Sequence, residues 1–230
     1  MDVSLIVVSR NRTSDLVRLC DVLKHQFGLV FQLIIVTNSD QEIVKSALGS
    51  FPATVVCMDV ANISMMRNAG LAQALGRVIA FCDDDCIPEP DWLARLIQPL
   101  LDGLADAATG AVFGRNGCTP QWDMVWSGRD GLDLHSDPLP QDTQYFSGTA
   151  DRFVKLQGTN FAVLKAKLDA LGGFDPAYAY YLDDTDLSLR LAQNGARIAF
   201  VPEARVHHLF EANQTRFRSR APRSLSVIGA

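Results

Sequence analysis

The segment Val78-Ile79-Ala80-Phe81-Cys82-Asp83-Asp84-Asp85-Cys86 sets a short apolar run directly before three consecutive carboxylates. A brief apolar run of this kind, bounded by polar residues, is the pattern of a strand buried on both faces. The same form occurs twice upstream. Residues 3–8, apolar but for Ser4, lead into Ser9-Arg10-Asn11-Arg12, and residues 33–36 lead into Thr37-Asn38-Ser39-Asp40. Between them, Leu16, Leu19, Cys20, Leu23 and Phe27 recur at helical spacing behind Thr13-Ser14-Asp15, which can cap a helix over residues 13–27. Helices over 41–48, 64–75 and 90–101 and a strand over 54–58 continue the alternation. This order predicts an α/β fold, a mostly parallel, Rossmann-like sheet with helices on both faces. Ligands bind beyond the carboxyl ends of such strands, and that is where the polar clusters fall.

The second half is less regular. A strand is expected near 111–113, then a long polar stretch over 115–150 with Trp122, Trp126, Tyr145 and Phe146. Such a stretch reads as a functional loop, an acceptor-side region or lid, or as an insertion packed over the sheet. Strands are expected at 153–157 and 161–164, a short helix closed by Gly172-Gly173, and a helix over 182–194. A last strand at 198–201 precedes His207-His208.

Composition narrows the class. The chain has 230 residues, 48% apolar and 20% charged, with net charge −5. That is globular rather than disordered or fibrous. Residues 211–230 carry Arg216, Arg218, Arg220 and Arg223 against Glu211, so the acidity belongs to the body of the chain. An acidic body argues against nucleic acid as a partner. The five cysteines are odd in number, Asp2 stands where a signal peptide has basic residues, and no apolar run reaches membrane-spanning length. A soluble, cytoplasmic chain with reduced thiols is expected. Cys82 and Cys86 lack the partners of a zinc set.

Four constellations could carry chemistry. Asp83, Asp84 and Asp85 repel one another unless something positive sits among them. A hard divalent cation bridging to phosphate answers that need, and an acidic loop leading into the next helix with Glu89 and Asp91 is the plainer account. Asp183, Asp184 and Asp186 follow Tyr178, Tyr180 and Tyr181. They either cap a helix or supply a general base beside a polyol. Arg67, with Arg10 and Arg12, can bind phosphate or line a solvated helix face. His207 or His208 is either structural or a further ligand of the same ion.

Taken in order, Val7-Val8-Ser9-Arg10-Asn11-Arg12, Arg67-Asn68-Ala69-Gly70, 78–85, Gly158-Thr159-Asn160-Phe161, Gly172-Gly173-Phe174-Asp175 and the run from Asp183 to Leu191 resemble the inverting, non-processive glycosyltransferases of family 2. The resemblance covers most of residues 3–208 and implies a GT-A fold, with one such domain over 1–210. Residues 1–114 would be its nucleotide-sugar half, 115–210 its acceptor and base half, and 211–230 an Arg-rich tail. It implies that Asp83 faces the ribose or a neighbouring Arg, with Asp84 beside it. Asp85 would bind Mn²⁺ or Mg²⁺, and His208, with His207 as fallback, would complete the metal shell. Ser9, Arg10, Asn11, Arg12 and Asn38 would line the donor pocket and Arg67 would lie near the diphosphate. Asp184, paired with Asp183, would be the catalytic base. The donor implied is a nucleotide sugar, a UDP-sugar first. The acceptor is a carbohydrate, lipid-linked or protein-linked hydroxyl, the tail offering peripheral contact with the inner face of a membrane. Asn38 departs from the family's usual aspartate, which leaves the nucleobase open. The Gln-x-x-Arg-Trp motif of processive synthases is absent. A sugar-1-phosphate nucleotidyltransferase would need a glycine-bearing loop at Ser9–Arg12, and a non-catalytic nucleotide-sugar-binding protein is the remaining alternative.

Overall fold

A computed structural model describes residues 1–209; residues 210–230, and the expectations attached to the tail at 211–230, lie outside the described residues. In chain order the elements are β1 (Val3–Ser9), α1 (Thr13–Leu23), β2 (Phe31–Thr37), α2 (Gln41–Leu48), β3 (Ala53–Cys57), α3 (Ile63–Leu71), β4 (Val78–Asp83), β5 (Cys86–Pro88) and α4 (Trp92–Leu101). Then follow β6 (Ala107–Phe113), β7 (Pro120–Trp122), β8 (Met124–Ser127), β9 (Asp133–Asp137), β10 (Gln144–Ser147), β11 (Phe153–Val154), β12 (Asn160–Leu164), α5 (Lys165–Ala170), α6 (Asp183–Gln193) and β13 (Arg197–His208).

Among the described residues the strands form a ten-stranded sheet with the path β10-β13-β6-β12-β4-β1-β2-β3, and a three-stranded sheet β11-β8-β9. The quartet β3-β2-β1-β4 is parallel throughout, as the apolar runs predicted. β12 enters antiparallel between β4 and β6, and β13 runs parallel to β6. The chain adds β2 and β3 on one side of β1 and then crosses back, so that β4 lies on the other side. This reversal opens the crevice in which doubly wound sheets bind ligands.

Alternate residues of β1 build the two cores. Val3, Leu5 and Val7 pack with Leu16 and Leu19 of α1, Val44 of α2 and Leu93 and Leu96 of α4. Ile6 packs on the other face with Met66 of α3, Phe81, Phe161, Phe174 and Leu187 of α6. Gly70 allows α3 to press onto that second face, since a Cβ there would lie 2.7 Å from Ile6 Cγ2. Helices on both faces are thus the observed arrangement.

Several boundaries differ from expectation. α1 stops at Leu23, and Phe27 is exposed, its N–H donating to Pro90 O at 3.0 Å. Its N-cap is Arg12 with no side-chain capping bond, so Thr13-Ser14-Asp15 belong to the first turn. α3 begins at Ile63, capped by Asn62 accepting from Met65 N at 2.9 Å, and ends at Leu71 rather than 75. Residues 115–150 are not an irregular loop. β7 pairs with β6, β8 and β9 pair with each other, and β10 closes one edge of the large sheet on β13. The last strand spans twelve residues rather than four, with a register shift between Val201 and Val206. It lies inside the sheet, and His207 and His208 are part of it.

Candidate active site

The first acid cluster is positioned by the register of β1 against β4, which sets Val8 opposite Asp83. The Ser9–Arg12 loop and Asp83–Asp85 therefore leave the sheet side by side. Arg12 turns into the carboxylates, its Nη2 2.8 Å from Asp84 Oδ1 and 2.7 Å from Asp85 Oδ2. The positive partner that the acidic triplet requires is thus supplied in part by the chain itself. Burial pushes the Asp84 carboxyl up to about 8, and Asp85 and Asp83 add to this, while Arg12 and the Ser9 hydroxyl oppose it. Burial disfavours the Arg12 charge, but Asp84 and Asp85 outweigh it and raise its pKa. Asp83 is the most open of the three, with 29% of its side chain exposed.

β5 completes the cluster. It pairs antiparallel with β13, which sets His208 opposite Cys86 and beside Asp85. His208 Nε2 lies 3.1 Å from Asp85 Oδ1, both side chains 1% exposed. Leu209 N–H donates to Asp85 O at 3.0 Å and fixes the backbone there. Asp85, Cys86 and His208 offer ligand atoms within 4.8 Å of one another. The Cys86 thiol is pushed well up by burial and by Cys82, so oxygen and imidazole nitrogen are the donors ready for a hard cation. Among the described residues Asp84 Oδ2 is buried without a hydrogen-bond partner. These residues fit a divalent ion. His207 faces elsewhere, its Nε2 3.3 Å from Glu89 Oε1.

The second cluster opens α6. Leu182, its N-cap, takes a left-handed φ of +65°, a costly conformation for a branched residue. Asp183 turns inward and accepts a hydrogen bond from Arg67 Nη1. Arg67 is 4% exposed, donates through Nη2 to Gly158 O at 3.0 Å and lies 3.8 Å from Asp83 Oδ1. Its guanidinium carbon sits 5.3 to 5.7 Å from the ring centres of Phe174, Phe161 and Phe81. A solvated helix face is therefore the wrong account of Arg67. It is the buried tie between the two acid clusters. Burial raises the Asp183 carboxyl to about 7 against the pull of Arg67, with Asp184 and Asp83 adding to the rise.

Asp184 is only partly buried. Its Oδ2 accepts from Gly158 N at 2.9 Å and its Oδ1 from Thr185 N at 2.7 Å. A Cβ on residue 158 would fall 2.9 Å from Asp184 Oδ2, so only glycine admits this approach unchanged. Ser188 Oγ donates to Asp184 O at 2.6 Å one turn along and accepts from Leu156 N at 3.0 Å.

The remaining candidates line the loop after β1. Asn11, at φ +57°, exchanges hydrogen bonds with Asn38: Asn11 N donates to Asn38 Oδ1 at 2.9 Å and Asn38 Nδ2 to Asn11 Oδ1 at 2.8 Å. Part of the Asn38 amide is thereby engaged within the chain. Ser9 is buried and Arg10 half-buried beside them.

Gln121, whose Oε1 lies 3.1 Å from His208 Nδ1, is a contact that residue patterns did not single out, since it carries no signal in its polar stretch. Gly158 stood in the Gly158-Thr159-Asn160-Phe161 motif, but with no role attached. Asn160 of that same motif is a fastening. It accepts from Trp92 Nε1 at 2.7 Å and donates to Ala111 O at 3.0 Å and Ala204 O at 2.8 Å.

The sequence model of glycosyl transferase family 2 matches residues 4–165. The succinoglycan biosynthesis protein ExoM of Rhizobium meliloti is 30% identical over 196 residues, covering 79% of this chain and 58% of that protein. A pre-mycofactocin glycosyltransferase of Mycobacterium tuberculosis is 26% identical over 217 residues, 90% of this chain and 42% of its own length. The chain thus spans roughly half the length of these curated relatives. Among solved structures, GalNAc-T7 with UDP, GalNAc and Mn²⁺ superposes with a TM-score of 0.71 at 17% identity, over 95% of this chain and 46% of that one. Staphylococcus aureus TarS 1–349 in complex with UDP-GlcNAc gives 0.69 at 17% identity, over 96% and 61%.

Proposed function

Because the chain belongs to glycosyl transferase family 2 and has the GT-A fold, we propose that it moves a sugar from a nucleoside diphosphate, UDP first, to an acceptor hydroxyl with inversion. Residues 1–114 hold the donor, and 115–210 supply the acceptor side and the base. The observation that carries this reading is the unequal pair at the start of α6. Asp183 is 6% exposed and committed to Arg67, whereas Asp184 keeps a partly open carboxylate braced by Gly158 and Thr185. One acid is structural and its neighbour is free to work.

In this reading Asp184 removes the acceptor proton as the new bond forms. The brace fixes one carboxylate orientation, and positioning of this kind contributes more than basicity. Arg67 keeps the base in register with Asp83 at the donor end. Ser9, Arg10, Asn11, Arg12 and Asn38 line the donor loop. Asp85 and His208 would hold Mn²⁺ or Mg²⁺, and the chemistry such a cation supplies is neutralisation of charge on the departing diphosphate. The Mn²⁺ and UDP bound to GalNAc-T7 and the UDP-GlcNAc bound to TarS support this choice of ligands.

The test combines thermal shifts with turnover. UDP with Mn²⁺ is expected to stabilise the protein more than GDP or dTDP. Asp184→Asn is expected to keep that shift and to lose transfer by at least about 100-fold, the usual scale of general-base catalysis. Near-native turnover in the Asn variant would falsify the base assignment. A second reading, charge neutralisation by Arg12 without metal, is favoured by its ion pairs to Asp84 and Asp85. Turnover that survives EDTA would select it.

A further inference from the structure

The two ring nitrogens of His208 face different side chains. Nε2 faces Asp85, and Nδ1 lies 3.1 Å from Oε1 of Gln121. Gln121 belongs to β7, held against β6 through Val112–Trp122 and Phe113–Pro120. The other end of its amide, Nε2, is buried without a hydrogen-bond partner among the described residues. A glutamine kept only to satisfy its surroundings would have both ends engaged. Among the described residues the one bond that the side chain makes goes to the imidazole. The Trp122 ring, 6.1 Å from that of His208, flanks the same pair.

We propose that Gln121 is a positioning residue, accepting the Nδ1 proton of His208 and so reserving the Nε2 lone pair for a divalent cation shared with Asp85. The proposal rests on the metal reading given above. An imidazole can ligate through one nitrogen only when the other carries the proton, and the acceptor on that second nitrogen selects the tautomer and the ring orientation. Asp85 cannot do this, because it faces the ligating side. Were the Gln121 amide turned end for end, its NH₂ would donate to Nδ1 and drive the proton to Nε2, closing the ligand position. The two arrangements are therefore opposite in consequence and separable by experiment.

Mn²⁺ binding in the presence of UDP, read from the electron paramagnetic resonance of the free ion, supplies the test. The wild-type protein is expected to bind, and Gln121→Leu to bind about 10- to 100-fold more weakly, the range for loss of an outer-shell partner. Gln121→Glu, which keeps an acceptor, is expected to stay within a few-fold of wild type. Metal-free UDP binding should be the same in all three. Equal Mn²⁺ affinity in wild type and Gln121→Leu would overturn the proposal while leaving the metal site standing. Failure of the wild-type protein itself to bind Mn²⁺ would instead remove the metal reading, and the proposal with it. Imidazole nitrogen-15 spectra of the Mg²⁺-loaded wild type, assigned with His208→Asn, give a check independent of any Gln121 variant. A proton on Nδ1 of His208 is expected, and one on Nε2 would refute the assignment.

Discussion

At the scale of single residues, the site is a set of buried charges that neutralise one another, and Asp183 shows what this costs. Its native carboxyl titrates near 7 because burial outweighs Arg67, whereas an unfolded aspartate titrates near about 3.9. The native state therefore binds the proton more firmly. The stability contributed by Asp183 is full below about pH 4 and is lost as pH rises through 7. Urea unfolding from pH 4 to 8 should show a fall in stability over that window that is shallower in Asp183→Asn. An unchanged slope in the variant would assign the pH dependence elsewhere. Asp83–Asp85 and Asp183–Asp184 were legible in sequence because runs of acid are conspicuous. Their counter-charges were not. Arg12 pairs locally with Asp15, but its pairing with Asp84 and Asp85, and that of Arg67 with Asp183, joins residues far apart in the chain that only the fold brings together.

At the scale of elements, β13 separates what parity can tell from what it cannot. Pro202, Glu203 and Arg205 interrupt its apolar run, so the sequence pattern ends the strand at 201. Past Pro202 the alternation resumes, with Ala204, Val206 and His208 buried, Glu203 and Arg205 exposed and His207 between. Period two thus distinguishes the two histidines once the strand is allowed to continue. The turn before β12 carries a sharper dependence. Gly158→Ala would set a methyl 2.9 Å from Asp184 Oδ2 and displace the brace. Turnover is expected to fall by about 100-fold, the scale of a roughly 1 Å misplacement, with the melting temperature changed by only a few degrees. A variant with full turnover would show that the Gly158 contact does not set the geometry of the base. The segment 115–150 was unreadable for a different reason. Its strands are three to five residues long and draw their stability from β6, β11 and β13 rather than from their own pattern.

At the scale of the whole molecule, the parallel quartet and its two helical layers follow from apolar periodicity alone. The later half of the sheet does not, because β12 and β13 are placed by long-range pairing. No helix among the described residues is long and apolar enough to cross a membrane. The path of the large sheet also fixes an order of assembly. Among the described residues β13 is the last strand, yet it lies between β6 and β10, and β10 has no other strand partner in that sheet. Asp85 and His208 meet across 123 residues of chain, and contacts of such separation form late. During refolding, pulse-labelled amides of β1, β2 and β4 should gain protection before those of β6, β10 and β13, which should gain it together. Early protection of β10 would contradict that order. Until β13 inserts, the outer side of β6 is an unpaired edge able to capture strands of other chains. Newly made chains are therefore most prone to aggregate in the interval before residues 197–208 reach their place.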